Sequence, residues 1–360
     1  MLEVVETALK MLNYLLLFSG ITIVLLVIAD FGVTVFVPKG AGFITGAITV
    51  AVAGIFRFFS GNSGVRKVLE YKVLFIIIVM VTSWLLLTWF GVSLIYSFDQ
   101  DSILNAETKQ TASFAEKFYF TGYTISTLGQ GDFQPNGTKW QIFTSATSLL
   151  GFMILTISIT YIVPVINSFI EKQTMTLQIA SLGQTTQEIL IKGYNGEDFS
   201  DLSDEFSDLA NSIFKHAKNH SAYPVLHHVH NSNKEENTVL KLVMLDEVCT
   251  VLFYHIPKEK CIRDNSLSQV RSALTYYLKT VRNIVVPDEQ PPAPVVKSVQ
   301  NKLGFDLIHT TNTEIKQLYK NLDYRRRILL GLVEDDGFKW DDINGKANPY
   351  FPESLEAQIK

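Results

Sequence analysis

Residues 124–132 read Thr-Ile-Ser-Thr-Leu-Gly-Gln-Gly-Asp and lie between two long apolar runs, 73–96 and 141–170. A run of about 20 predominantly apolar residues is long enough to cross a bilayer as a helix. Irregular backbone at membrane depth is stable only where protein buries it or where it lines an aqueous cavity. Gly129 and Gly131 accept positive φ without a Cβ clash, so alternate peptide carbonyls can point the same way. The stretch therefore predicts a set of main-chain oxygens turned toward a dehydrating cation. The rest of the chain has to supply the walls of a pore.

Composition agrees with a membrane-embedded part. The 360 residues are 47% hydrophobic and only 18% charged, against roughly a quarter charged in soluble domains. Apolar residues concentrate before residue 171 and charges beyond it, which predicts a membrane half followed by a soluble half. The net charge of −4 is small and dispersed, which argues against a nucleic-acid partner. Cys249 and Cys261 both fall in the soluble half, and two thiols there read as reduced cytoplasmic cysteines rather than a disulfide framework. The first apolar stretch is too long for a cleavable signal peptide and lacks a small-residue cleavage site.

Four segments have the composition of spans: 13–37, 41–59, 73–96 and 141–170. The second is the weakest, rich in Gly and Ala and carrying Arg57 near its end. Arg66, Lys67 and Lys72 cluster in the loop 61–72, so the positive-inside rule makes that loop cytoplasmic. Alternation then puts the N-terminus inside, Pro38-Lys39-Gly40 in an outer turn, the pore segment outside and the C-terminal half in the cytoplasm. Asp30, near the outer end of its span, reads either as a group reaching headgroups and water or as part of an ion path. No span carries arginines at three-residue spacing, which argues against a voltage sensor.

Between the third and fourth spans, 99–111 form a polar outer loop, and 112–126 an apolar-aromatic helix too short to cross. A half-helix ending at mid-depth aims its negative C-terminal dipole at the bilayer centre, which favours a cation there. This order of span, pore helix, filter and span resembles the potassium-channel pore family, whose filter usually reads T-V-G-Y-G-D. The resemblance covers about residues 73–170 and rests on Thr124, Thr127, Gly129, Gly131, Asp132 and Pro135. It implies successive potassium sites made by the carbonyls of Thr127, Leu128, Gly129 and Gln130, with Gly131 completing the filter. The Thr127 hydroxyl would add the innermost ring of oxygens. One chain supplies one loop, so a closed filter implies four chains in cyclic symmetry.

One position departs from the family pattern. Gln130 stands where the family has a tyrosine that hydrogen-bonds pore-helix aromatics, and the apparent partner position is Phe120, which cannot hydrogen-bond. A second strut is retained in the resemblance: Tyr119 occupies the donor position facing Asp132, and Thr124 supports the filter from the pore helix. A weaker brace would relax the preference for potassium over sodium.

The fourth span carries Gly151 at the spacing of the family's gating hinge; it reads as a hinge or as a close helix contact. Pro164, within Val163-Pro164-Val165, predicts a kink. Thr156, Ser158 and Thr160 between them face the cavity or bond their own helix. Beyond residue 170 the reading is all-α: the fourth span running on to about residue 192, then helices over 201–218, 237–255, 267–284 and 313–333, with an extended Pro-rich connector at 287–294. The domains expected are a hairpin of two spans at 1–72, a pore domain at 73–170, a cytoplasmic helical domain at 171–335 and a tail at 336–360. His216 and His220, one turn apart and near His227, His228 and His230, fit either zinc or pH sensing. Tyr324-Arg325-Arg326-Arg327 reads as a solvated face or a lipid contact.

The expectation from all this is a multi-pass, all-α membrane protein with a re-entrant pore helix. It would be a homotetrameric potassium channel in a cell membrane, a bacterial inner membrane by its resemblance to compact prokaryotic pores. Both termini would be cytoplasmic, and lipid and an unspecified cytoplasmic regulator would be its partners. No cofactor is expected besides permeant potassium. Alternatives are a non-selective monovalent cation channel, a transporter built from channel-like loops, and a non-conducting membrane scaffold. An enzyme is not expected, since no nucleophile–base pair or metal constellation appears in the soluble half.

Overall fold

Helix length divides the molecule. A computed structural model describes residues 2–37, 41–59, 72–223, 226, 234–281, 286–289, 291–292, 296–305, 307–308 and 312–343. The expected outer turn at Pro38-Lys39-Gly40, the basic loop with Arg66 and Lys67, the histidines His227, His228 and His230, and the end of the tail lie outside the described residues. The helices are α1 Leu2–Phe36, α2 Phe43–Phe59, α3 Lys72–Ser97, α4 Phe114–Ile125, α5 Gly137–Leu182, α6 Thr186–Gly193, α7 Leu202–Ala222, α8 Thr238–Tyr254, α9 Asp264–Thr280, α10 Val296–Leu303 and α11 Asn312–Asp335. The fold is all-α except for one antiparallel pair, β1 Ile103–Asn105 with β2 Phe133–Pro135, in register Ile103↔Pro135 and Asn105↔Phe133. The loop 99–111 thus holds a short strand that its polar composition did not announce.

Among the described residues, three helices are long and apolar enough to cross a membrane: Val4–Phe36, Leu74–Ser97 and Gly137–Leu182. The second expected span is α2, and its 17 residues rise about 25 Å at 1.5 Å per residue, short of a hydrocarbon core of about 30 Å. What fixes α2 is Asp30. Its carboxylate accepts from Ile44 N (2.7 Å), Thr45 N (3.2 Å), Thr45 Oγ1 (2.7 Å) and Trp84 Nε1 (2.8 Å). The first two donors are the orphan amides of a helix N-terminus, where the helix dipole also favours negative charge. Gly42 is required beside it, because a Cβ there would fall 2.0 Å from Asp30 Oδ1. Asp30 is therefore a buried tie between α1, α2 and α3 rather than a group at the headgroups.

Two compact units divide the chain: the described residues of Met1–Ile166 with Ala222–His228, and those of Asn167–Ser221 with Val229–Lys360. In the first, α1 packs on α3 where two glycines meet; a Cβ on Gly20 would lie 2.5 Å from the Gly91 carbonyl. Small residues at such crossings let backbones approach closely in membrane helices. Phe31 meets Trp84 edge-on at 5.0 Å. A second cluster gathers Val92, Tyr96, Ile103, Phe120, Tyr123 and Trp140 around the pore loop.

In the second unit α8 is the central helix, buried from Leu240 to Leu252 on every side. It touches α6, α9 and α11, and Phe206, Leu209 and Ile213 of α7 join the same core. The long helix does not run to residue 192 as its composition suggests. It stops at Leu182, Gly183 packs against Ile189 N, and Thr185 caps α6 by accepting from Glu188 N (3.1 Å). The stretch after residue 335 is not peripheral either: Phe338, Trp340 and Ile343 are buried in the core.

Arg325 and Arg326, which look like a solvated face in sequence, turn inward. Arg326 Nε meets Glu247 at 2.8 Å, and Arg325 Nε meets both oxygens of Asp246 at 3.1 Å. Arg326 also donates to the carbonyls of Pro291 and Pro292, and Arg327 Nε to that of Pro287 (2.6 Å), so guanidinium groups hold the Pro-rich connector in place.

Candidate functional site

The pore loop is built from its helix outward. A capping box starts α4: Glu116 N donates to Ser113 Oγ (3.4 Å) and Ser113 N to Glu116 Oε2 (2.7 Å). This reciprocal arrangement satisfies two orphan amides and sets where the helix begins. Lys117 on the next turn is buried. Its ammonium donates to the carbonyls of Tyr96 (3.1 Å), Asp99 (2.7 Å) and Gln100 (3.0 Å), closing the C-terminal end of α3. Trp89 Nε1 donates to Phe118 O (2.7 Å), and Gly122 lets the Trp89 ring lie directly against α4. The pore helix is thus locked to α3 along its length.

Its end decides the conformation of residues 127–131. Leu128 N donates to Tyr123 O (2.9 Å) and Thr127 N to Thr124 O (3.1 Å). This paired closure requires a left-handed residue just past the helix, usually glycine. Here that residue is Thr127, at φ 60°. A β-branched side chain in this region is a genuine outlier, costing about 1–2 kcal/mol. Gly129 at φ 59° and Gly131 at φ 85° repeat the left-handed turn, while Leu128 and Gln130 stay at negative φ. The hand of the backbone therefore alternates from residue to residue between Thr127 and Gly131. Residues 126–132 are all exposed in the single chain, Leu128 to 65%.

The ascending limb is held by pairing and by a phenol. Strand β2 pairs with β1, Ala106 N donates to Asp132 O (2.9 Å), and Tyr123 Oη donates to Phe133 O (2.9 Å). The Asp132 side chain lies beside the phenols of both Tyr119 and Tyr123, and Tyr119 meets Tyr123 edge-on at 5.2 Å. Tyr123 is thus a brace that sequence reasoning missed; its spacing of one turn after Tyr119 was the available signal. Phe120 packs among Tyr96 and Tyr123 at 5.4 and 5.1 Å. Gln130 makes no hydrogen bond among the described residues, and Thr124 is buried at the end of α4.

On α5, Gly151 sits where a Cβ would fall 2.4 Å from Ile125 O, so the helix crosses the end of the pore helix at backbone contact. Pro164 lies inside α5, which remains one helix from Gly137 to Leu182; the ring removes one ladder bond there. Thr156, Ser158 and Thr160 all bond carbonyls one turn back in their own helix.

In the second unit, His216 and His220 pack on Tyr277, with ring centroids at 5.4 and 5.8 Å. Burial, with the Lys172 ammonium alongside, pushes His216 down to about 3, so it stays neutral at physiological pH and does not serve as a sensor near neutrality. Among the described residues no third His, Cys, Asp or Glu joins them in a group able to hold a metal.

Residues 73–168, which contain α4, the stretch 126–135, Gly151 and Pro164, match the family model described as ion channel. The uncharacterized membrane protein YdjJ of Bacillus subtilis is 30% identical over 309 residues, 85% of this chain and 89% of the relative. Residues 73–168 of the chain belong to the ion channel family. That family is one of channels and not of enzymes, and the apolar helices together with the relative make this ion channel family member a membrane protein. No solved structure matches the chain.

Proposed function

We propose that this chain is one subunit of a homotetrameric, potassium-conducting channel of the cell membrane. The observation that carries the reading is the alternation of left-handed residues at Thr127, Gly129 and Gly131, directly after a helix whose C-terminal end is closed by paired hydrogen bonds. Carbonyls of Thr127, Leu128, Gly129 and Gln130 replace the hydration shell of a potassium ion, Gly131 ends the filter, and the Thr127 hydroxyl adds the inner ring. Tyr119, Thr124 and Asp132 support it, joined by Tyr123. One chain leaves residues 126–132 exposed, a condition that bilayer depth does not tolerate unless protein encloses them around water. Four copies about an axis supply that enclosure. Gly151 and Pro164 are the bending points of the gate, with Gly151 acting at its contact with Ile125. Both termini are cytoplasmic, the second unit regulates opening, and lipid covers the exposed apolar faces of α1, α3 and α5.

One observation favours a second reading, a channel that also passes sodium. Gln130 is exposed and unbonded among the described residues, whereas Tyr123 braces only the limb beyond the filter. Purified full-length protein in planar bilayers tests both readings. Potassium-carrying unitary currents are expected, and their absence would return the chain to the role of a membrane scaffold. Reversal potentials with potassium on one side and sodium on the other then distinguish strict from relaxed selectivity; a strict preference equal in wild type and Gln130→Tyr would remove the second reading.

A further inference from the structure

The second unit carries an open cleft of about 500 Å³ between α7, α8 and α9, within the roughly 300–1,000 Å³ range of small-molecule sites. Its floor is Arg271. All the hydrogen bonds of that guanidinium leave from Nη1, to Asp246 O (3.1 Å) and Thr250 Oγ1 (3.3 Å), and the ion pair to Asp246 Oδ2 (2.8 Å) uses the same nitrogen. Nε and Nη2 make none among the described residues. Arg271 is therefore fixed in orientation by a fully buried carboxylate while half of its donor fork is unspent.

The charge around it is unbalanced. Asp246 is shared between Arg271 and Arg325, so the three groups carry a net positive charge. Lys279, two helical turns along α9 on the same face, adds a second, and no carboxylate lines the cleft among the described residues. Three half-exposed rings, Phe214, Phe253 and Tyr276, form its apolar walls, and the exposed Ser272 also lines it. A preorganised guanidinium binds a phosphate oxygen pair well, and aromatic walls favour a flat ring placed against them.

The geometry points to a binding site for a phosphorylated molecule that carries a planar ring, the mononucleotide class. Phosphate engages Nε and Nη2 of Arg271, Lys279 adds attraction from the rim, and the ring lies against Phe253 and Tyr276. Because Arg271 also holds Asp246, and Asp246 holds Arg325 of α11, occupancy bears directly on the contact between α8 and α11.

Titration calorimetry on the full-length protein in detergent tests this with AMP, adenosine and inorganic phosphate as probes. AMP is expected to bind, and adenosine and phosphate each to bind at least about tenfold more weakly, since each lacks one of the two recognised groups. Ser272→Trp fills the cleft from an exposed position and should abolish AMP binding. Lys279→Ala, also exposed, should weaken it about fivefold to tenfold. Both variants should keep the wild-type elution volume and thermal unfolding. The inference is overturned if AMP does not bind, if phosphate alone binds as tightly as AMP, or if both variants bind AMP as wild type does. It is equally overturned if Ser272→Trp shifts the protein to a smaller assembly, which would make the cleft a contact between copies of this chain.

Discussion

Asp30 in the first unit and Asp246 in the second are both carboxylates within 4% of full burial, yet they are satisfied by different chemistry. Among the described residues Asp30 has no ion-pair partner: backbone amides at the start of α2, a threonine hydroxyl and an indole N–H supply its donors. Asp246 is paired with two guanidinium groups from α9 and α11. The contrast teaches how each unit is completed. The second unit meets its buried carboxylate with side-chain cations of the same chain. The first unit meets its own with fixed dipoles, and it leaves seven consecutive residues exposed, 126–132, which the proposed channel would enclose with other copies.

The sharpest way to break this contrast is to remove one carboxylate at a time. Asp246→Ala leaves Arg271 and Arg325 charged and unpaired in the interior, and should cost the second unit about 3–5 kcal/mol. Chemical unfolding followed by circular dichroism measures it; a loss under about 1 kcal/mol would mean the pairing is not what holds α8 to its neighbours. Asp30→Asn keeps one acceptor oxygen but turns an NH₂ toward donors, and should cost about 1–3 kcal/mol. Adding back a cation should not help: Thr45→Lys would be no more stable than Thr45→Ala if dipoles are what Asp30 needs.

Acid sensitivity separates the units further. His216 is held neutral in the folded state, its pKa lowered from 6.5 to about 3. The unfolded chain gains a proton below about pH 6.5 while the folded one does not until about pH 3. Stability of the second unit should therefore fall as pH drops from 6.5 toward 3 and be indifferent to His216 above 6.5. His216→Phe should flatten that slope, and a slope identical to wild type would remove this residue as its source. The smallest cost to the fold is expected at Gly129. Gly129→Ala meets nothing within 4 Å, so the left-handed strain of about 1–2 kcal/mol should leave assembly intact while currents drop by at least about tenfold. Loss of assembly instead would show that the stretch is structural.

Local signals in the sequence go far in the membrane half and less far beyond it. The apolar run at 73–96 coincides with α3, and the stretch 112–126 with α4, because composition and capping residues act over a turn or two. Thr127 is different: it terminates a helix in a conformation that glycine normally takes, so residue type alone conceals it. The tie from Asp30 to Thr45 and Trp84 requires knowing that α2 folds back on α1. In the second unit, the pairs joining Asp246 and Glu247 to Arg325 and Arg326 span 79 residues, beyond the reach of periodicity. A trace was present nonetheless, since two adjacent acids inside the apolar run of α8 demand cations from somewhere.

Crystals of the full-length assembly grown with rubidium in place of potassium put the filter to its most direct trial. Anomalous scattering should place a column of ions on a fourfold axis, level with the carbonyls of Thr127, Leu128, Gly129 and Gln130. Carbonyls turned away from any common axis, or an axis without ions between them, would contradict a pore made from this stretch.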